Sequence, residues 1–258
     1  MDLLANKRLS VIVDKINQKG AVTVTELATE FGVSIETVRR DLLSLEKKNL
    51  LQRVHGGAVS VGEMIAYHDL ATRMEENVEE KMQLGKIVKD IVCDGDVVYL
   101  DAGTTSVYLA RELKNKDITV ATCSLNAFNE LLGGKVKPIL CGGTFDPLLE
   151  SFCGIFAEEI ISKLYFSKAF ILPSAISLKH GIFDFSYEDY PLQVKAMERC
   201  DKVYFAATSN KFEKNGLLKL CDTSTDYIYV TDSKLKKEYK EMYAENGMTI
   251  IDGKEENK

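Results

Sequence analysis

Leu4, Leu9, Ile12, Val13 and Ile16 recur at helical spacing, which predicts a first helix that Gly20 stops. Thr23-Val24-Thr25-Glu26 has the form of a capping box opening a second helix, whose apolar face is Leu27, Ala28 and Phe31. Gly32 suits a tight turn, and Ser34 suits the cap of a third helix. On that third helix Ile35, Val38, Leu42 and Leu45 fall on one stripe. Thr37, Arg40, Ser44 and Lys47 fall on the opposite one, with Arg39 at the flank. Residues 50–55 and 58–61 then read as two short strands around Gly56-Gly57.

Residues 61–84 lack Pro or Gly after Gly62 and read as a bridging helix, with the acidic run Glu75–Glu80 as its solvated face. From residue 85 the pattern changes. Strand-like runs at 97–101, 118–122, 136–141, 169–173, 202–207, 227–231 and 248–251 alternate with helical runs at 106–114, 125–132, 154–164, 190–200 and 233–246. Such alternation predicts a mostly parallel sheet covered on both faces. The expected organisation is a head at 1–60, a bridge at 61–84 and an α/β body at 85–258.

Charge sharpens this division. The 258 residues carry a formal net charge of −6, which excludes wholesale coating of nucleic acid. Residues 1–60 hold nine Lys/Arg against seven Asp/Glu, so the head is +2 and the remainder −8. The six cysteines have no CxxC spacing, so zinc knuckles are not expected, and the thiols read as reduced core residues. No leader-like segment and no apolar run near the ~20 residues of a membrane span is present, so a cytoplasmic protein without a membrane partner is expected.

The third helix has the arrangement that reading DNA requires: an apolar back, and a front of short or forked polar side chains. A hairpin after such a helix is a wing, whose Arg53 and His55 would meet phosphate or the minor groove. An alternative is a solvated face on which Arg39 and Arg40 pair with Asp41. In the body, the informative positions follow the strands, where ligands of parallel sheets bind. Gly103 permits close backbone approach, and Thr104, Thr105 and Ser106 offer hydroxyls and N–H groups at a helix start, a cradle for phosphate or carboxylate. Ser124, Gly142-Gly143 and Lys211 follow three other strands, and Lys211 can add a point charge.

The strings Thr37-Val38-Arg39-Arg40-Asp41-Leu42 and Arg53-Val54-His55-Gly56-Gly57-Ala58 resemble the amino-terminal signature of the DeoR family of bacterial regulators. The pattern Asp101-x-Gly103-Thr104-Thr105, Cys141-Gly142-Gly143-Thr144 and Ser209-Asn210-Lys211-Phe212 resembles that family's effector domain, which is similar to sugar-phosphate isomerase and CoA-transferase folds. The resemblance implies a winged helix-turn-helix that contacts DNA through Ser34, Thr37, Arg39, Arg40, Ser44, Lys47, Arg53 and His55. It also implies a phosphorylated-sugar pocket lined by Asp101, Gly103, Thr104, Thr105, Ser124, Gly142, Gly143 and Lys211, with Asp101 on sugar hydroxyls and acidic contacts from Glu188 or Asp189. Cys123 and Thr208 depart from the Asn and Asp usual in relatives, which changes the pocket's donors and acceptors.

The expected function is a DNA-binding transcriptional regulator, a repressor of sugar metabolism genes, that binds a double-stranded operator and a phosphorylated sugar. A homodimer or homotetramer is expected, because one small head makes few phosphate contacts. No cofactor, metal site or catalytic residue is expected. The alternatives are a sugar-phosphate isomerase-like enzyme fused to a DNA-binding head, with Asp101, Glu188 or Lys211 moving protons, and an interaction module whose head binds no DNA.

Overall fold

The computed structural model describes residues 3–19, 21–47, 50–54, 56–59, 70–147 and 149–253. His55, Gly20 and the first part of the expected bridge, 61–69, lie outside the described residues. The chain forms two compact units: Met1–Tyr67 with Ser174–Ser186 and Glu213–Asp222, and His68–Pro173 with Tyr187–Phe212 and Thr223–Lys258. Among the described residues no helix is long and apolar enough to cross a membrane.

The head runs α1 (Leu3–Lys19), β1 (Ala21–Thr23), α2 (Val24–Phe31), α3 (Ile35–Glu46), β2 (Gln52–Val54) and β3 (Gly57–Val59). Its caps are those the sequence predicts. The Thr23 hydroxyl accepts the Glu26 N–H at 3.0 Å, and the Ser34 hydroxyl accepts the Thr37 N–H at 3.2 Å. Each such cap contributes about 1 kcal/mol. Gly32 ends α2 in the left-handed region at φ 61°. Ile12, Ile16, Val22, Leu27, Val38, Leu42, Leu45, Leu51 and Ala58 pack into one core. Ile35, expected on that stripe, is 47% exposed. It opens α3 one turn before the helix meets the core.

The wing hairpin has a third strand that the sequence reading omits. β1 pairs antiparallel with β3, and β3 with β2, so the order is β1-β3-β2. Gly57 stands in β3 rather than in the turn, and a Cβ there would lie 2.2 Å from the Val22 carbonyl oxygen, so close strand approach demands glycine.

The bridge yields two described helices, α4 (Leu70–Glu75) and α5 (Val78–Ile91), separated by a turn in which Asn77 has φ 50°. β4 (Val97–Leu100), α6 (Thr104–Leu113), β5 (Thr119–Thr122), α7 (Leu125–Leu131) and β6 (Lys137–Leu140) follow. Next come a small hairpin of β7 (Thr144–Asp146) and β8 (Ser151–Cys153), then α8 (Ile155–Lys163) and β9 (Phe166–Ile171). β10 (Ala175–Ser177) and β11 (Gly181–Asp184) precede α9 (Tyr190–Glu198) and β12 (Cys200–Ala206). β13 (Leu218–Cys221), β14 (Ile228–Val230), α10 (Lys237–Glu245) and β15 (Thr249–Ile251) complete the order.

The body is a mostly parallel α/β domain. Its seven-stranded sheet has the order β15-β14-β12-β9-β4-β5-β6, and every pairing in it is parallel. All seven coincide with predicted strands. Alternate positions serve opposite faces. Val98, Leu100, Val120, Phe170, Tyr204, Ala206 and Val230 pack with α5, α6 and α7 in one core. On the other face the ring of Phe205 stacks on that of Tyr229, which meets Tyr243 edge-on. The antiparallel strands β10, β11 and β13 form a separate three-stranded sheet in the first unit.

The reading of Glu75–Glu80 as a solvated face holds at exposed Glu75 and Glu79 and is corrected at Glu80. Glu80 and Lys81 are buried, Glu80 pairs with Lys234, and the Lys81 ammonium donates to the Arg73 carbonyl. Burial, with the Arg73 charge nearby, lowers Lys81 to about 8. The unfolded lysine holds its proton up to a pKa of about 10.4. The cost of burying the charge is therefore complete below pH 8 and lifts as the pH rises toward 10. Lys81→Met is expected to raise the melting temperature more at pH 7 than at pH 10, relative to wild type at each pH.

Candidate nucleic-acid interface and sensor site

On α3 the buried side is Val38, Leu42 and Leu45, and the outward side carries Arg39, Arg40 and Lys47 exposed, with Thr37 and Ser44 half-buried. Ser34 caps the helix and is itself exposed, with its hydroxyl 2.9 Å from that of Thr37. Asp41 does not tie up the neighbouring arginines. Its carboxylate accepts from Arg8 of α1 through Nε at 2.6 Å and Nη2 at 3.2 Å, a two-pronged bond between α1 and α3. Arg40 lies 3.9 Å from Glu36 with its side chain 77% exposed, an ion pair too long and wet to hold it. Arg53 is drawn toward α3, where its N–H donates to Glu46 at 2.9 Å and its guanidinium stands 3.7 Å from the same carboxylate. The geometry offers a capped helix with an exposed cationic, hydroxyl-bearing front beside a short wing.

In the body, the loops after β4, β5, β6 and β12 lie at one edge, because these strands run parallel in one sheet. Gly103 precedes α6 at φ 126°, which favours glycine, and a Cβ there would meet nothing within 4 Å. Thr104 and Thr105 are 7% and 4% exposed at the first turn of α6, and among the described residues neither hydroxyl takes a hydrogen-bond partner. The Ser106 hydroxyl turns back to the Gly103 carbonyl at 2.6 Å. Ser124 is buried and caps α7, accepting the Ala127 N–H at 3.2 Å. Gly142 borders open space, whereas a Cβ on Gly143 would sit 2.4 Å from the Cys153 carbonyl oxygen. Lys211, in a 3-10 turn after β12, donates to the Pro173 carbonyl at 2.9 Å.

Asp101, expected to bond sugar hydroxyls, is 1% exposed, and both its oxygens already accept hydrogen bonds from within the chain. Oδ1 takes the Ala102 N–H at 2.9 Å, while Oδ2 takes the Leu172 N–H at 3.0 Å and the Gln193 amide at 2.9 Å. The carboxylate thus braces the Gly103 loop against the end of β9 and against α9. Asp101→Asn puts an NH2 group opposite a buried donor and is expected to cost about 1–3 kcal/mol of stability, read from urea unfolding. An unchanged unfolding midpoint with weakened sugar-phosphate binding would instead make the group a ligand contact.

Two polar residues at this edge, Gln193 and Asp232, escape the sequence reading. Gln193 holds Asp101, and Asp232 accepts the Ser209 N–H at 2.6 Å at the base of the Lys211 turn. Buried Asp189 accepts from Ser151 at 3.5 Å, whereas Glu188 is exposed. Thr208 bonds Asn210 at 2.6 Å. A cleft of about 470 Å³ runs along α6 and α7, lined among others by Arg111, Lys114, Asn126, Asn129 and Glu130. None of the eight predicted effector residues lines it. Arg111 and Glu130 pair there at 2.8 Å, and that bond pushes the arginine up and the glutamate down.

Among the described residues no group of His, Cys, Asp and Glu is placed to hold a metal ion. Of the proton-transfer candidates of the isomerase-like alternative, Asp101 and Lys211 are hydrogen-bonded within the chain and Glu188 is exposed.

Comparison with known proteins agrees with this two-part construction. Residues 8–63 match the family described as DeoR-like helix-turn-helix domain, and residues 76–233 match the DeoR C terminal sensor domain. The L-fucose operon activator of Haemophilus influenzae is 33% identical over 231 residues, which cover 89% of this chain and 93% of that protein. The lactose phosphotransferase system repressor of Staphylococcus epidermidis is 32% identical over 246 residues, covering 92% of this chain and 97% of that one. Among solved structures, ribose 5-phosphate isomerase A of Methanocaldococcus jannaschii aligns over 53% of this chain and 55% of its own, at 14% identity and a TM-score of 0.40.

Proposed function

The chain belongs to the DeoR family of DNA-binding transcriptional regulators, and from that premise we propose that it represses genes of sugar metabolism under the control of a phosphorylated sugar. Residues 1–60 form the operator-reading head, 61–84 the connection and 85–258 the effector domain. Arg39 and Arg40 meet the duplex with Thr37, Ser44 and Lys47, while Ser34 holds the helix start and Arg53 and His55 serve the wing. The observation that carries the DNA reading is the exposed cationic front of α3, left open because Asp41 pairs with Arg8 instead.

For the effector, the support is the open first turn of α6. Two hydroxyls without partners among the described residues and the free N–H groups of a helix start stand beside unfilled space at Gly103. Thr104, Thr105 and the Gly103 backbone receive the phosphate. Gly142 and Gly143 admit it, Ser124 and Asp101 hold the loop geometry, and Lys211 adds charge from the β12 side. The relatives are named for fucose and lactose systems, which favours sugars as the effector class. Two heads reading two half-sites make a homodimer or homotetramer the working state, in the cytoplasm.

A thermal-shift screen tests the effector reading. A phosphorylated sugar at a hundred times its Kd raises stability by about 2.7 kcal/mol, and the same sugar without phosphate does not. A chain stabilised equally by both forms contradicts a phosphate cradle.

A further inference from the structure

Cys123 and Cys141 follow β5 and β6 directly, and the parallel register pairs Ala121 with Ile139 and Thr122 with Leu140. The next opposed positions are the two cysteines. The ladder reaches Cys141, whose N–H donates to the Thr122 carbonyl at 2.9 Å, while the Cys123 carbonyl accepts the Phe152 N–H of β8 at 2.8 Å. By the two-residue period both thiols lie on the face of Ala121 and Ile139. Neighbouring strands stand about 4.8 Å apart, and a disulfide spans Cα atoms roughly 4.4–6.8 Å apart. Both side chains are fully buried. Both are free.

We propose that Cys123 and Cys141 are a redox pair that closes to a reversible disulfide when a peroxide oxidises the protein. The site stands on strand register and does not rest on the effector reading. Either thiol can attack and the other resolve. Where Cys141 attacks, its sulfur bonds to one peroxide oxygen, the O–O bond breaks, and a sulfenic acid and one water result. The Cys123 sulfur then attacks the sulfenic sulfur. An S–S bond forms, the S–O bond breaks, and the hydroxyl leaves with the Cys123 proton as a second water. Two electrons pass from the thiols to the peroxide. The link would tie the root of the Ser124 turn to that of Gly142-Gly143, and a thiol reductant reverses it.

Peptide mapping tests this on the full chain. Native protein is treated with hydrogen peroxide, quenched, denatured in N-ethylmaleimide and cut with trypsin. The expected product joins peptide 117–135 to peptide 136–163, with Cys153 alkylated and fragment ions placing the link on Cys141. Dithiothreitol before alkylation removes the link. Cys153→Ser retains it, and Cys141→Ser abolishes it. Alkylation of both Cys123 and Cys141 after exposed Cys93 is fully oxidised overturns the proposal, as does a link on Cys153. The wild-type map decides the matter even where Cys141→Ser fails to fold.

Discussion

Thr104→Glu is expected to abolish the response to a phosphorylated sugar while the fold and DNA binding persist. A carboxylate at the first turn of a helix suits the helix dipole, so α6 tolerates the charge. The same charge stands where the phosphate is placed. Two unit charges about 4 Å apart at an effective dielectric of 20 repel by about 4 kcal/mol, roughly a thousandfold in affinity. Because Thr104 is 7% exposed, the larger side chain must find room toward the unfilled space beside Gly103. Thr104→Val is the isosteric companion. It removes one hydroxyl and is expected to weaken the sugar phosphate by about tenfold. Isothermal titration of both variants, with thermal melts as the folding control, reads the result. An undiminished response in Thr104→Glu would move the site elsewhere, with the cleft along α6 and α7 next in line.

Arg40→Ala is expected to lower operator affinity by about 1–3 kcal/mol and to relax preference at one base position. The effect should appear in binding alone, because the side chain is 77% exposed and its ion pair to Glu36 is long. Arg39→Ala removes a flank contact to phosphate. It should weaken all DNA sequences alike and reduce the salt dependence of binding by about one unit of slope. Fluorescence anisotropy with specific and scrambled duplexes separates the two. An Arg40→Ala protein with wild-type affinity and specificity would return α3 to the status of a solvated helix.

Much of this fold is legible because its signals are local. The central parallel strands carry runs of buried residues, and the edge strands β6 and β15 are partly buried apolar runs. The caps at Thr23 and Ser34 involve residues three apart and were equally visible. What escaped depends on distant partners or on very short elements. β1, β10 and β11 have three or four residues each, too few to show a period. A helix was expected across 61–84, but the burial of Glu80 within it could not be read, because its partner Lys234 lies 154 residues away.

The site divides the same way. Gly103, Thr104 and Thr105 announce a helix start beside a strand end from three letters of sequence. The role of Asp101 could not be read so, since its partners Leu172 and Gln193 lie 71 and 92 residues along the chain. A carboxylate next to a cradle reads as a ligand contact until its oxygens are found engaged. The Arg8–Asp41 bond is similar in kind: sequence neighbours suggested pairing with Arg39 or Arg40, and the packing of α1 on α3 decided otherwise.

The account's core is that one chain joins operator reading to sugar-phosphate sensing. Titrating phosphorylated sugars into wild-type protein bound to a fluorescent duplex from the region upstream of its own gene tests this most directly. The predicted result is a change in DNA affinity of about 5–150-fold with one phosphorylated sugar, and none with its unphosphorylated form. A complex whose affinity is the same with every phosphorylated sugar, while Thr104→Glu behaves as wild type, would contradict it.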